Sequence, residues 1–232
     1  MREHRVRDLM HAAGTGEDPV LQLCTMAVDS LFVSGAGLSV SNGPGEHRKV
    51  AATDDVSDRI EDLQVLLGQG PCVDAVRSGA PVVVADMDRP DVGERWPIFT
   101  PAAVALGVRA SFAVPLLVGE LRLGALDLYR GSTGGLVDEQ VEEAQDYASA
   151  AVNVLLEIQA ASPAGDEDDV TLGRSGSSVV YQATGMVMVQ LDTGAEAAFA
   201  ALRARAYRDG RPLQEVARDV LERRLRLTAA ER

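Results

Sequence analysis

The hydrophobic pattern divides the C-terminal part of the chain into three short helices. Apolar residues recur at steps of three and four in three stretches between residues 178 and 221. Thr193, with Glu196 three residues later, is expected to cap the second helix, and Asp209-Gly210 to end it. Pro212 suits the first turn of the third helix. Helices this short are not stable alone, so their apolar faces should form one small bundle. The residues assigned only to its core are Val179, Met186, Phe199, Leu202, Leu213 and Val216.

A different pattern, with helices interleaved between strands, occupies residues 18–160. Asp18 is expected to cap a helix that begins at Pro19. The segments Ala110–Val118 and Leu121–Arg130 flank Gly119-Glu120, which predicts a tight hairpin. This order of elements predicts an α+β fold in which helices sandwich an antiparallel sheet. Further strands are predicted at 35–40, 47–53 and 82–84, and further helices at 56–67, 71–77, within 96–106, and at 137–160.

The last of these helices is apolar on more than one side. One side carries a heptad-like seam, and the opposite side carries Tyr147, Val152 and Leu156. We expect one side to pack on the sheet of its own domain and the other on a second subunit, giving a homodimer. The alternative is a helix that lies wholly in a groove of its own domain. The seam consists of Val141, Ala144, Ala148, Ala151, Leu155 and Ile158.

Composition fits a cytoplasmic protein with two domains. The 232 residues suffice for two ordinary domains, and 46% apolar residues support a substantial core. No apolar run approaches membrane-spanning length, and the N-terminus has no signal-peptide core. Cys24 and Cys72 do not cluster with the three histidines, so the sequence predicts no metal site.

The net charge of −13 is unevenly distributed. Residues 179–232 contain nine arginines and seven acidic residues, whereas the remainder is strongly acidic. An acidic surface repels nucleic acid, so only the C-terminal part is suited to approach it. The alternative is that these arginines form an ordinary solvated helix surface, balanced by nearby acids.

Motifs in all three C-terminal helices resemble those of the ANTAR domain. The matching segments are Gln182–Met188, Ala198-Phe199, Leu202-Arg203, Arg211-Pro212-Leu213 and Val216-Ala217. ANTAR domains are three-helix RNA-binding modules of bacterial transcription antiterminators. The resemblance implies a dimer that binds paired RNA hairpins in a nascent transcript. Binding would hold the RNA in a form that cannot build the terminator.

The residue types in this segment suit contacts with RNA hairpins. A guanidinium holds phosphate oxygens bidentately, and aromatic rings stack on unpaired bases. An amide or hydroxyl can bond base edges, and glycine permits close approach of the backbone. The predicted RNA-binding residues are Gln182, Thr184, Gly185, Arg203, Tyr207, Arg208, Arg211 and Arg218.

The N-terminal region resembles a GAF domain over residues 18–160. The resemblance rests on Leu66–Cys72, Gly107–Ser111, Val114-Pro115-Leu116 and Leu123–Tyr129. It implies a cavity between the sheet and residues 54–106 for a small-molecule effector, whose identity these residues do not select. Each candidate pocket residue also has an ordinary structural explanation, as a helix stop, a surface loop or a buried aromatic ring. The candidates are Gly70, Cys72, Asp86, Trp96 and Phe99.

Cys72 is the one candidate for covalent or redox chemistry. A position near a helix N-terminus would favour its thiolate, as in a redox sensor or a methionine sulfoxide reductase of the GAF type. Such an enzyme needs partner cysteines, and Cys24 lies on the apolar face of a predicted helix. A structural thiol is the preferred interpretation. No catalytic constellation points to an enzyme.

The predicted organisation is an arm at 1–17, a GAF-like sensor at 18–160, a linker at 161–177 and an ANTAR domain at 178–226. The linker is rich in glycine and serine, unlike the leucine-spaced helical connector usual in this family, and Arg174 is a loose counterpart of its final arginine. Control by exposing or covering the RNA-binding surface is therefore favoured over a helix rotation.

The predicted function is transcription antitermination under control of the sensor. The alternatives are a DNA-binding regulator, since short arginine-bearing helices also form helix-turn-helix proteins, and a redox enzyme using Cys72.

Overall fold

A computed structural model describes residues 18–43, 46–161 and 174–228 of the chain. The chain divides into two compact units, with the boundary between residues 162 and 163. The predicted N-terminal arm and residues 162–173 of the predicted linker lie outside the described residues.

The first unit is a mixed α+β fold, as the sequence predicts. Its helices are α1 (Pro19–Leu31), α2 (Asp55–Leu67), α3 (Pro71–Ser78), α4 (Pro90–Arg95), α5 (Phe99–Ala105) and α6 (Asp138–Ala161). Its strands are β1 (Gly35–Gly43), β2 (Glu46–Ala52), β3 (Val82–Val84), β4 (Ala110–Val118) and β5 (Leu121–Arg130). The Asp18 carboxylate accepts the Val20 N–H at 2.9 Å, which confirms the predicted cap of α1.

The five strands form one antiparallel sheet in the order β2-β1-β5-β4-β3. The predicted β4–β5 hairpin is confirmed, with Gly119 at φ 60° in its turn. Gly124 of β5 has φ 156°, and a Cβ there would lie 1.9 Å from the Ser39 carbonyl oxygen of β1. Only glycine lets these two central strands approach so closely.

Helices cover both faces of the sheet. On one face, Arg130 of β5 donates a hydrogen bond to the Leu31 carbonyl at the end of α1, at 3.1 Å. On the other, the Tyr129 hydroxyl donates to Asp54, the N-cap of α2, at 3.0 Å. Residues 124–129 are all buried, because neither face of β5 is open to solvent.

The seam of α6 is used within its own unit. Ala144, Ala148, Ala151 and Leu155 are buried. Tyr147 and Val152 on the opposite side are buried as well, and the Tyr147 hydroxyl donates to the Met26 carbonyl of α1 at 3.2 Å. Both sides of α6 therefore carry residues buried within the first unit, as the alternative of a helix in a groove of its own domain expects, while Leu156 is 45% exposed. No helix in the described ranges is both long and apolar enough to cross a membrane.

The second unit consists of α7 (Arg174–Leu191), α8 (Ala195–Asp209) and α9 (Leu213–Leu221). Helix α7 begins at Arg174, within the predicted linker. The predicted Thr193 cap of α8 is wrong: Gly194, in extended backbone, is the N-cap, and no side chain caps this helix. Gly210, at φ 62°, ends α8 as predicted.

The three helices share one apolar core. Val179 and Met186, predicted as core, are only half-buried. Leu227 lies one residue beyond the predicted boundary, yet it is 1% exposed, and its N–H donates to the Gln190 side chain of α7 at 2.9 Å. The buried apolar residues are Val180, Ala183, Val187, Leu191, Ala198, Phe199, Ala201, Leu202, Ala206, Leu213, Val216, Ala217, Val220 and Leu227.

Candidate functional site

Arg211, a predicted phosphate ligand, belongs to an ion-pair network on α9. Its guanidinium lies 2.8 Å from an Asp219 carboxylate oxygen and 3.5 Å from Glu215. Arg224 contacts the other Asp219 oxygen at 2.5 Å. Hydrogen bonds from Arg224 and then Arg211 lower the pKa of Asp219 below its usual value. A phosphate bound by Arg211 would therefore compete with Asp219.

Two other predicted phosphate ligands lie on α8. The Arg203 guanidinium stacks over the Phe199 ring, 5.0 Å from its centroid. Arg208 Nε lies 3.9 Å from Asp209, whose second oxygen accepts the Arg205 Nε–H at 2.6 Å. Both arginines therefore already have a partner on α8.

Tyr207 and Arg218 are both exposed on the second unit. The Tyr207 side chain of α8 is 53% exposed, so its ring is open to stacking. Arg218 is exposed on α9 and forms no ion pair within the described part of the chain. Both stay predicted RNA contacts.

The predicted contact residues on α7 differ in their exposure to solvent. Gln182 and Gly185 are exposed, and a Cβ at Gly185 would meet nothing within 4 Å. Thr184, in contrast, is 8% exposed, and its hydroxyl donates to the Val180 carbonyl at 2.8 Å. Its hydroxyl is already satisfied within the helix, so the structure contradicts the predicted contact of Thr184 with base edges.

The five predicted pocket residues lie in different environments of the first unit. Phe99 is fully buried, and Trp96, 2% exposed, packs on it edge-to-face at 6.2 Å. Asp86 accepts the Asp88 N–H at 3.0 Å in an exposed turn. Gly70 has φ 130°, and a Cβ there would lie 2.5 Å from the Gln64 side-chain oxygen. The ordinary structural explanation is right for these four.

Cys72 instead belongs to a buried polar cluster that sequence spacing did not predict. Glu61 of α2, Cys72 of α3 and Asp127 of β5 bring one side-chain oxygen or sulfur each to within 4.8 Å of one another. They are 1%, 1% and 5% exposed. Cys72 Sγ lies 3.2 Å from Ser39 Oγ. The backbone N–H of Cys72 donates to the side-chain oxygen of Gln64 at 2.8 Å.

The cluster is electrostatically unsatisfied. None of the four carboxylate oxygens of Glu61 and Asp127 has a hydrogen-bond donor among the described residues. Burial, and then Asp127, raises the pKa of Glu61 well above its usual value. Burial raises the pKa of Asp127 to about 6.

The Cys72 thiol is protonated in this environment. Cys72 does lie in the first turn of α3, as expected. Burial, followed by the charges of Asp127 and Glu61, nevertheless raises its pKa well above the usual value. The effect of burial and two carboxylates outweighs that of the helix terminus, which agrees with the preferred interpretation of Cys72 as a structural thiol.

Two cavities lie near α2. One, of about 10 Å³, adjoins Glu61 and Asp127, which is close to the smallest space that holds a single water. The other is an open groove of about 440 Å³ between α2 and α5. Neither is lined by a predicted pocket residue. The groove between α2 and α5 is lined by Arg59, Asp62, Leu63, Leu66, Ala102, Ala105 and Leu106.

Gly37→Ala should destabilise the protein, because Gly37 of β1 leaves the space that Glu61 fills. An added Cβ would lie 2.5 Å from Glu61 Oε1 and 2.9 Å from its Cγ. We expect a loss of about 1–3 kcal/mol in the free energy of unfolding, measured by urea denaturation. Gly93→Ala is the matched control, since its Cβ would meet nothing within 4 Å. An equal loss in both variants would contradict the steric explanation.

Comparison with known proteins identifies both units. The GAF domain model matches residues 17–155, and the ANTAR domain model matches residues 174–221. No curated protein matches in sequence. A domain of a candidate two-component sensor histidine kinase from Sinorhizobium meliloti 1021 is similar in structure, with a TM-score of 0.50 and 16% identity, over 63% of this chain and 95% of that one. The GAF domain of an Acinetobacter phosphoenolpyruvate-protein phosphotransferase gives a TM-score of 0.51 at 10% identity, over 68% and 92%. These structures support the fold alone.

Proposed function

Since the chain belongs to the GAF-domain family and carries an ANTAR domain after its GAF domain, we propose that it is an antitermination regulator that binds RNA hairpins. The two domains together make it a sensor-regulated ANTAR regulator. The observation that carries the proposal is the ANTAR match over residues 174–221, which coincides with α7, α8 and α9. A protein of this kind acts by binding, without bond chemistry.

The exposed groups of the second unit suit a hairpin loop. Unstacked loop bases can stack on Tyr207, while Arg203, Arg208, Arg211 and Arg218 hold phosphates. Gln182 can bond base edges, and the open space at Gly185 admits a close backbone approach. Thr184 does not belong to the proposed RNA contacts, because its hydroxyl is hydrogen-bonded within α7.

The first unit binds a small-molecule effector. Effector binding controls whether the RNA-binding surface of the second unit is exposed or covered. The protein acts as a homodimer, with each ANTAR domain holding one of two paired hairpins. A pure monomer in sedimentation at micromolar concentration, with and without RNA, would contradict the dimer.

Arg218→Ala should weaken binding to a tandem-hairpin RNA and flatten its salt dependence. Loss of one phosphate contact reduces the slope of log K against log salt concentration by roughly one unit. A mobility-shift titration at several salt concentrations measures this slope. Arg77→Ala, which alters an exposed arginine of the first unit, is the control and should keep the wild-type slope. An unchanged slope in Arg218→Ala would remove Arg218 from the interface.

Asp219→Asn should have the opposite effect and strengthen RNA binding. Asp219 pairs with both Arg211 and Arg224, so the substitution removes one ion pair from each guanidinium group and one negative charge, leaving Glu215 and Glu222 as their partners. We expect a several-fold gain in affinity at low salt, together with a steeper salt slope. Asp91→Asn, which breaks an exposed Arg89 pair in the first unit, is the matched control. Weaker RNA binding in Asp219→Asn would show that Asp219 positions Arg211 instead of competing for it.

A further inference from the structure

We propose that Glu61, Cys72 and Asp127 form a binding site for a divalent transition-metal cation of the zinc class. The three side chains come from α2, α3 and β5, and their donor atoms lie within 4.8 Å of one another. The site belongs to the first unit and goes beyond the proposed RNA binding, on which it does not depend.

The carboxylates of the cluster lack the partners that buried charges require. Glu61 and Asp127 are each at least nine-tenths buried, and within the described residues no donor reaches any of their four oxygens. The nearby ammonium of Lys49 contacts Asp58 and Asp62 instead. Buried carboxylates are normally paired with a cation, coordinate a metal or keep a proton. A dication bound between them would satisfy both carboxylates at once.

The donor set indicates the type of metal. Carboxylates alone favour hard ions such as Mg²⁺ and Ca²⁺, whereas a cysteine sulfur selects softer ions. One sulfur and two carboxylates together suit a borderline ion such as Zn²⁺, which binds sulfur at about 2.3 Å and oxygen at about 2.0 Å. These bond lengths place neighbouring donors about 3–4 Å apart, so the side chains would close on the ion by roughly an ångström.

The surroundings of the cluster support such a site. Ser39 Oγ, 3.2 Å from Cys72 Sγ, can donate a hydrogen bond to a metal-bound thiolate. Gln64 accepts the Cys72 N–H at 2.8 Å and so fixes the start of α3. Gly37 leaves the space that Glu61 occupies. The adjoining cavity of about 10 Å³ offers room for a water molecule as a further ligand.

Cobalt binding to the full-length protein tests the proposal directly. The protein is treated with a chelator, freed of it by gel filtration and titrated with Co²⁺. We expect a thiolate-to-cobalt charge-transfer band in the near ultraviolet that saturates at one equivalent and disappears when Zn²⁺ is added. Cys72→Ala should lose the band. Cys24→Ala should keep it, because Cys24 is a buried cysteine outside the cluster.

Carboxylate variants test the remaining ligands. Glu61→Gln and Asp127→Asn keep the side-chain shape and should each weaken Co²⁺ binding by tenfold or more. Near-ultraviolet circular dichroism checks that each variant is folded. RNA binding is measured separately, so that loss of metal binding and loss of RNA binding are distinguished. The proposal is overturned if wild-type protein gives no band with Co²⁺ or if folded Cys72→Ala retains it. A buried carboxyl pair that merely shares a proton would produce the first of these results.

Discussion

Replacing Arg203, Arg208 and Arg218 together by alanine should weaken hairpin binding on the order of a hundredfold at about 0.15 M salt. Each phosphate contact contributes about 0.7–0.9 to the slope of log K against log salt concentration, so the triple variant should lose more than two units of slope. The effect should fade as salt is raised, because counterion release contributes less there. Fluorescence anisotropy with a labelled tandem hairpin, at four or more salt concentrations, measures both quantities.

The matched control for this variant replaces the same three arginines by lysine. Lysine keeps the charge and therefore the salt slope, but it lacks the planar group that binds phosphate bidentately and stacks on rings. Arg203 stacks over Phe199, so the melting temperature of each variant must also be compared with that of wild type. Wild-type affinity in a folded triple-alanine variant would place the RNA elsewhere on the protein.

Glu61→Gln should stabilise the chelator-treated protein at pH 7 more than at pH 4.5. Burial, and then Asp127, raises the pKa of Glu61 in the folded state. Unfolded Glu61 ionises near pH 4.3, so folding takes up a proton between that pH and the higher pKa of the folded state. This group's contribution is therefore most favourable below the unfolded pKa, and stability falls as the pH rises towards the folded pKa. Glutamine cannot ionise, so the variant avoids this loss.

Urea denaturation at pH 4.5 and pH 7 measures the difference. The stabilising effect should be large at pH 7 and small at pH 4.5. Glu142→Gln, which changes an exposed residue of α6, should stay within about 0.5 kcal/mol of wild type at both values. A destabilised Glu61→Gln protein at pH 7 in chelator would show that the charged carboxylate has a partner that compensates its burial.

Elements whose signals are local could be predicted from the sequence. The β4–β5 hairpin follows from two strand-like runs around Gly119-Glu120, and α1 from Asp18 before Pro19. Helix α4 was not predicted, because Pro90–Arg95 has one turn of weakly apolar residues and a glycine. Its place is fixed by tertiary packing of Val92 and Trp96 in the core.

The errors at the candidate sites have two different causes. Thr184 follows Val180 by four residues and precedes Val187 by three, so helical spacing already placed it on the core stripe despite its hydroxyl. The cluster of Glu61, Cys72 and Asp127 had no comparable signal, because the fold alone brings three distant elements together. Asp127 between the buried Leu126 and Leu128 was the one indication of a carboxylate in the interior.

Competition between RNA and DNA for the full-length protein tests the central claim most directly. Wild-type protein is bound to a labelled tandem-hairpin RNA at low salt and challenged with unlabelled RNA or with duplex DNA of equal length and charge. Our account predicts a complex that unlabelled hairpin RNA displaces and duplex DNA does not. Failure to bind the RNA at low salt would contradict antitermination through the ANTAR domain, and equal displacement by duplex DNA would favour a DNA-binding regulator.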